Sequence, residues 1–267
     1  SFQNTPRKSY YGSHEDPKPY GTTHDITVAS GAQYVRTFGR LGFMPAELTL
    51  GAEYSYDGLE DESLGYGIRT DQNVHILSAY LQNEWKTGRW SLLLGGRVDK
   101  HNLVAHAIFS PRVNVRFNPT EDVNLRVSYA GGFRAPQAFD EDMHISIAGG
   151  ERVRIRLADD LREERSNSFS ASADLYHRFG GVQANLLVEG FYTMLDDVFS
   201  LRALPDKDES GNTVKERYNG SGATVQGLNF EGKAAFTRWF SLQAGFTLQQ
   251  SRYAEPEQWS EDPEVPP

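Results

Sequence analysis

Apolar and polar residues alternate with period two along most of the chain. Read from Ile26, the even positions carry Ile26, Val28, Ala32, Tyr34 and Phe38, and Asp25, Thr27, Gly31, Gln33 and Thr37 lie between them. The same sorting sets Leu48, Leu50, Ala52, Tyr54 and Tyr56 against Glu47, Thr49, Glu53 and Ser55. It recurs over residues 90–98, 113–117, 123–129, 168–175, 182–189, 228–236 and 240–249, and less cleanly over 74–85. Successive side chains of a strand point to opposite faces, so this period predicts strands, about ten of them. Most are near the roughly 9–11 residues that a tilted barrel strand needs to cross a bilayer.

The connections carry a second signal. Those at 86–89, 118–122, 178–181 and 237–239 are short, and 39–46 is a little longer. Those at 57–73, 100–110, 131–165 and 196–218 are long and polar. Short and long alternate along the chain, which puts every long connection at one end of the sheet. An up-and-down membrane barrel has this form, with tight periplasmic turns and long extracellular loops. Residues 1–21 and the acidic, proline-rich residues 254–267 read as extracellular loop or linker flanking a barrel segment over 22–253.

Alternation alone leaves two readings open. In a soluble antiparallel sheet the charged face meets water and the apolar face is the core. In a membrane barrel the charged face lines a wet lumen and the apolar face meets lipid. Strand length and loop asymmetry favour the barrel. So do the aromatic residues near strand ends (Phe38, Trp85, Trp90, Phe117, Tyr129, Trp239 and Phe240), where interfacial girdles belong. The predicted fold class is therefore all-β: an antiparallel up-and-down transmembrane β-barrel segment.

Composition narrows the chemistry. The 267 residues hold 27 Lys plus Arg against 36 Asp plus Glu, a formal net charge of −9, and nothing concentrates positive charge for nucleic-acid binding. Cysteine is absent, which removes disulfides, zinc–thiolate sites and cysteine nucleophiles. No run of about 18 apolar residues reads as a transmembrane helix, and residues 1–21 lack the pattern of a signal peptide. The mean hydropathy of −0.57 suits a half-apolar barrel as well as a soluble protein.

Candidate site residues cluster in the longest connection. The run "DEDMH" brings Asp140, Asp142 and His144 just past a strand top, and "GERVRIRLADD" alternates Arg152, Arg154 and Arg156 with apolar residues. The arginines would either face inward toward an anionic ligand or form a basic ladder paired with neighbouring acids. Arg134, at the top of a strand, either contacts ligand or anchors the loop by pairing with carboxylates such as Asp140 or Glu141, the fork of its guanidinium suiting both roles. The acidic stretches 57–63 and 205–212 hold closely spaced oxygen ligands but fit no EF-hand. No Gly-x-Ser-x-Gly elbow is present. The expectation is a protein with no catalytic site, metal or cofactor.

"FSPRVNVRFNPTEDVNLRVSYAGGFRAPQAFDE" (109–141) resembles the middle of the barrel of TonB-dependent outer-membrane receptors. Ser110, Pro111 and Arg112 match the family's strand opening, and Gly132, Phe133, Arg134, Ala135 and Pro136 match the rise to its Gly-Phe-Arg-Ala-Pro. Leu161, Glu164, Ser166 and Ser168 approximate the next strand's beginning, and Gly227, Asn229 and Glu231 the hairpin that follows. The resemblance spans most of 22–253 and is closer to the siderophore, haem and cobalamin branch than to carbohydrate uptake. It implies a segment of barrel wall and ligand-facing loops, without a plug domain, in a bacterial outer-membrane importer. The implied partners are membrane lipid, a metal chelate or vitamin, and the TonB energy-coupling complex acting through the plug. The alternative from the residues is a self-contained barrel of about ten strands acting as a surface protease or adhesin.

Overall fold

The computed structural model describes residues 1–10, 20–63, 68–136, 153–207 and 213–255, and all of the regular structure in them is strand. One sheet of 11 strands follows chain order: β1 (Phe2–Tyr10), β2 (Tyr20–Leu41), β3 (Met44–Ser63), β4 (Ile68–Lys86), β5 (Trp90–His101), β6 (Ile108–Thr120), β7 (Val123–Arg134), β9 (Glu164–Phe179), β10 (Val182–Asp196), β13 (Ala223–Ala235) and β14 (Ser241–Tyr253). Each pairs antiparallel with its neighbours, and β1 and β14 form the two edges. A second sheet of three short strands lies in the order β11 (Phe199–Ala203), β12 (Thr213–Asn219), β8 (Val153–Leu157), with β8 parallel to β12.

The ten expected strands correspond to the strands of the large sheet other than β1. β1 lies in the segment expected to be loop at 1–21 and pairs only with the upper half of β2, from Phe2↔Val28 to Tyr10↔Tyr20. It gives no alternation signal because neither of its faces lies against hydrocarbon, and as an edge strand it tolerates Pro6. The acidic stretch 57–63, expected in a loop, is the upper part of β3, paired with β4 as far as Ser63↔Ile68. β2, β3 and β4 are 22, 20 and 19 residues long, against 12 or 13 for β5, β6 and β7. About half of each long strand therefore stands above the roughly 9–11 residues that cross a bilayer.

Register fixes the faces. Leu92, Val115, Val127, Ala171, Gly190, Leu228 and Leu248 lie side by side from β5 to β14. One residue along, Ser91, Arg116, Arg126, Ser172, Glu189, Asn229 and Thr247 form the corresponding row on the opposite face. Burial then separates the two readings of the alternation. Leu77, Phe109 and Val127 are 61%, 60% and 58% exposed, whereas Ser78, Ser91 and Asp99 are 3%, 4% and 2% exposed. A soluble sheet would bury the first set. Here the apolar face is bare and the polar face shelters side chains, as a sheet facing lipid outward and a wet lumen inward requires.

The end with short turns is belted by aromatic residues. Phe43 stacks on Trp85 at 5.4 Å and Trp90 on Phe117 at 4.2 Å. Trp85 donates its indole N–H to the Leu41 carbonyl at 2.8 Å, so the ring lies in apolar surroundings while its polar edge is satisfied.

The inverted faces predict the cost of a charge. In bilayer vesicles, Val127→Arg and Leu248→Arg should each lower stability by about 2–4 kcal/mol. Thr247→Arg, one residue along on the polar face, should change it by under about 1 kcal/mol. Denaturant titration measures all three, and equal losses would contradict the assignment of faces.

Candidate functional site

The stretch Gly131–Pro136 was expected to begin a loop. Instead β7 runs unbroken to Arg134, pairing Gly131↔Asn167, Gly132↔Ser166, Phe133↔Arg165 and Arg134↔Glu164. The glycines serve close approach rather than a bend. A Cβ on Gly131 would sit 2.8 Å from Pro111 Cδ, and one on Gly132 would sit 2.8 Å from Ser166 Oγ. Beyond them Ala135 joins Val104 and Ile108 in a small buried cluster with Phe133 packed against it. The motif thus fastens the top of β7 to the β5–β6 connection.

Arg134 anchors the second sheet. Its Nε lies 2.8 Å from Glu164 Oε2. Glu164 also accepts the backbone N–H of Phe199, the first residue of β11. Two guanidiniums lie over the Phe199 ring, with Arg134 Cζ 4.9 Å and Arg217 Cζ 5.9 Å from its centroid. A cation over an aromatic face is attracted by the ring quadrupole, more strongly when desolvated, and Arg217 is almost fully buried. A second tie lies beside it. Arg162 pairs with Asp197 at 2.9 Å, and Asn219 donates to the carbonyls of Arg162 and Asp197 while accepting the Arg162 amide. The three-stranded sheet therefore stands on the rim through ion pairs and side-chain caps at the base of its hairpin.

A third cluster ties the β5–β6 connection to β9. Glu163 Oε1 lies 3.0 Å from His106 Nε2 and 2.8 Å from Arg165 Nη2, and Arg165 Nη2 lies 3.1 Å from His106 Nε2. Below the rim the polar wall is itself cross-linked. Arg97 reaches Glu53 at 2.6 Å, Asp99 at 2.7 Å and Ser78 at 2.7 Å, and Ser78 donates to Asp99 at 2.6 Å. This joins β3, β4 and β5 across the inner face, next to a recess of about 300 Å³ bordered by Glu53, Tyr80, Arg97 and Arg112.

The candidate residues fall unevenly on this framework. Asp140, Asp142, His144 and Arg152 lie outside the described residues, as does Glu141, an expected partner of Arg134. Arg154 and Arg156 are on β8, so the alternating run does form a strand above the barrel, in register with Val214 and Glu216 of β12. Arg156 is half-exposed and lies 3.9 Å from Asp159. Of the expected set, Arg134 pairs with Glu164 at the top of β7, and Arg154 and Arg156 lie on the small sheet. Sequence reading missed Glu163, Phe199, Arg217, Asp197 and Asn219. Each acts through a partner distant in sequence, and only the approximate strand-opening pattern around Glu164 gave a local sign of that residue.

The family model described as "TonB dependent receptor-like, beta-barrel" matches residues 1–266. No curated protein matches by sequence. Among solved structures, the siderophore receptor PirA from Pseudomonas aeruginosa aligns with a TM-score of 0.64 at 17% identity, covering 88% of this chain and 44% of that one. A double mutant of the Serratia marcescens hemophore receptor HasR, in complex with its hemophore HasA and heme, aligns with a TM-score of 0.71 at 16% identity, covering 86% and 42%. A mutant of the ferric enterobactin receptor PfeA from Pseudomonas aeruginosa, in complex with enterobactin, gives 0.69 at 17% identity, covering 93% and 40%. The chain spans less than half the length of each of these three proteins.

Two outcomes follow for the rim. Glu164→Gln removes the charge that holds Arg134 and the β11 amide together. It should raise proteolytic cleavage at residues 204–207 several-fold, the effect of losing about 1 kcal/mol locally, with the barrel still assembled. Unchanged cleavage would show that the sheet is held elsewhere. Glu163 stands outside the membrane-crossing strands. Burial pushes its carboxyl up, but hydrogen bonds from Arg165, its own backbone amide and His106 outweigh burial and hold it below the usual glutamate range. A depressed folded value means that its contribution is full above the ordinary value of about 4.3 and is lost as pH falls through the folded one. Hydrogen-exchange protection of residues 102–107, corrected for intrinsic rates, should fall over that acid range in the wild type and be flat in Glu163→Gln. A wild-type profile as flat as the variant's would refute the latch.

Proposed function

The chain belongs to the TonB-dependent receptor β-barrel family, and on that premise we propose that it supplies wall and ligand-facing loops to an active importer of a scarce nutrient. Its place is the bacterial outer membrane. The nutrient class we propose is a ferric siderophore, haem or cobalamin. The observation that carries the reading is the inverted sheet: an apolar outer face, a polar inner wall, and above it an anchored second sheet bearing Arg154 and Arg156. An anchored sheet over the mouth of a wet lumen presents charged side chains to an arriving ligand at a lower ordering cost than a floppy loop. The similar structures, a siderophore receptor and receptors in complex with enterobactin or heme, support the nutrient class by analogy of fold.

Within this reading the roles divide. Arg134 holds the rim, because its guanidinium is engaged by Glu164 and by the Phe199 ring. Arg152, Arg154 and Arg156, with Asp140, Asp142 and His144 on the neighbouring connection, are the proposed ligand-facing groups. Force would come from the TonB complex through a plug domain in the lumen. The alternative of a self-contained surface protease or adhesin gains no support from the fold.

Uptake by the full-length receptor in iron-limited cells tests the assignment. Charge reversal at both Arg154 and Arg156 should cut uptake of the labelled nutrient at least about tenfold at normal surface levels, the loss of one to two charge-assisted contacts. Arg134→Lys should be milder than Arg134→Ala, as an anchor predicts. A strain deleted for the receptor that grows as well as its parent on every siderophore, haem and cobalamin source would sink the proposal.

A further inference from the structure

The lipid-facing side of the large sheet is not evenly filled. Across β7, β9, β10 and β13 it holds a recess of about 590 Å³. The lining falls into rows. Val127, Ala171, Gly190 and Leu228 form one row of the apolar face, and Phe169, Tyr192 and Gln226 belong to the next, two residues along each strand. The row between them, Ser128, Ser170, Phe191 and Gly227, belongs to the polar face. Two apolar-face rows around one polar-face row put the opening on the lipid side, with the backbone of the middle row as its floor. Side-chain size makes the depression: Ala171 and Gly190 are small where their row neighbours Val127 and Leu228 are large. A Cβ added to Gly190 would meet one atom, Leu228 Cδ2 at 3.4 Å, so the packing of the strands does not demand a glycine here.

The height of the recess follows from the residues above it. Tyr129 is in register with Phe169, their ring centroids are 4.8 Å apart, and the Tyr129 hydroxyl donates to Asn167 Oδ1 at 2.8 Å, one row higher. A tyrosine with its ring among apolar groups and its hydroxyl bonded to a polar one belongs at a membrane–water interface. The row of Asn167, Met194, Thr224 and Arg252 therefore lies at headgroup level, and Arg252 is exposed there. Asp196 stands one row further up, opposite Arg165. The short turns are at the other end of the sheet, so the recess sits in the outer leaflet just below its headgroups. It is continuous with the lipid contact of the whole face, and the sheet extends past it on both sides, to β6 and to β14.

We propose that this recess seats one acyl chain of an outer-leaflet lipid whose phosphate is held by Arg252. The inference goes beyond the import reading, because it depends on which face meets lipid and not on what passes through the lumen. A chain lying over Ala171 and Gly190 gains contacts from the floor and from the flanking Val127, Leu228, Phe169 and Tyr192, whereas a chain on a flat part of the face is touched from one side only. The row of Arg252 is two residues, roughly 7 Å, above the top of the recess, within reach of the long arginine stem. A guanidinium meeting a phosphate there makes charge-assisted hydrogen bonds at the edge of the low-dielectric layer. Chain and head are thus held together, which distinguishes this lipid from its neighbours around the barrel.

Native mass spectrometry of the full-length receptor in detergent tests this, with diphosphorylated lipid A and its dephosphorylated form as probes. Wild type should retain one molecule of the phosphorylated probe through detergent exchange. Ala171→Leu with Gly190→Leu fills the recess with apolar atoms on the lipid side and should weaken retention about tenfold or more. Ala234→Leu adds similar bulk to the same face outside the recess, opposite Leu242, and should retain the lipid as wild type does. Arg252→Gln should weaken binding of the phosphorylated probe several-fold and leave the dephosphorylated one unchanged. Heat-modifiable mobility on gels confirms that each variant folds. Retention by the filled variant as tight as wild type overturns the seat. So does a wild-type spectrum with a statistical spread of bound lipids, or one showing a lipid-free dimer, which would make a second copy the occupant. Equal losses of both probes in Arg252→Gln would overturn the phosphate contact.

Discussion

A sheet that crosses hydrocarbon must satisfy every amide and carbonyl within itself, because the lipid offers no hydrogen-bond partner. That constraint organises this molecule. It makes antiparallel neighbours of consecutive strands, keeps the connections at one end to a few residues, and forces the apolar side chains outward. The usual relation of burial to polarity is then reversed. Leu77 and Phe109 lie bare while Ser78 and Asp99 are covered, and what would be a failed core in a soluble protein is the lipid contact. The aromatic stacks near the short turns, Phe43 on Trp85 and Trp90 on Phe117, mark where that contact stops.

Above the membrane the constraint relaxes, and order depends on other interactions. β2, β3 and β4 continue as a ladder in which Thr23 and Asp61, bonded at 2.6 Å, are buried along with Leu59 and Val74. The rim uses charge. Glu164 joins β7, β9 and β11 by accepting from Arg134 and from the Phe199 amide. Glu163 joins the β5–β6 connection to β9 through His106 and Arg165. These carboxylates are largely shielded, which strengthens each bond and raises the cost of losing one partner.

The inner wall shows both ways of carrying charge in a wet, half-sheltered space. The Arg97 node is closed: its donors and the acceptors around it are matched, so it stiffens β3 to β5. Arg116 and Arg126 are instead direct cross-strand partners on the same face.

The large sheet was legible in the sequence because its cause is local. Hydrocarbon on one face and water on the other impose period two on every crossing strand, and tight turns alternating with long connections fix the up-and-down order. The run from Ser110 to Pro136 added the family, since its residues follow a recognisable pattern. Legibility ended where lipid contact ends. β1, β8, β11, β12 and the upper half of β3 have no one-sided apolar pattern, because both of their faces meet water or polar neighbours. Arg134 was visible as an arginine at a strand top, with contact and anchoring both open. Only the tertiary structure decided that it pairs with Glu164, 30 residues away, beneath a phenylalanine 35 residues beyond that. The sequence by itself sorted each crossing strand into an apolar and a polar face, since that follows from neighbours one and two residues apart. The structure decided which charges meet across the rim and along the wall, since these depend on strand register between distant segments.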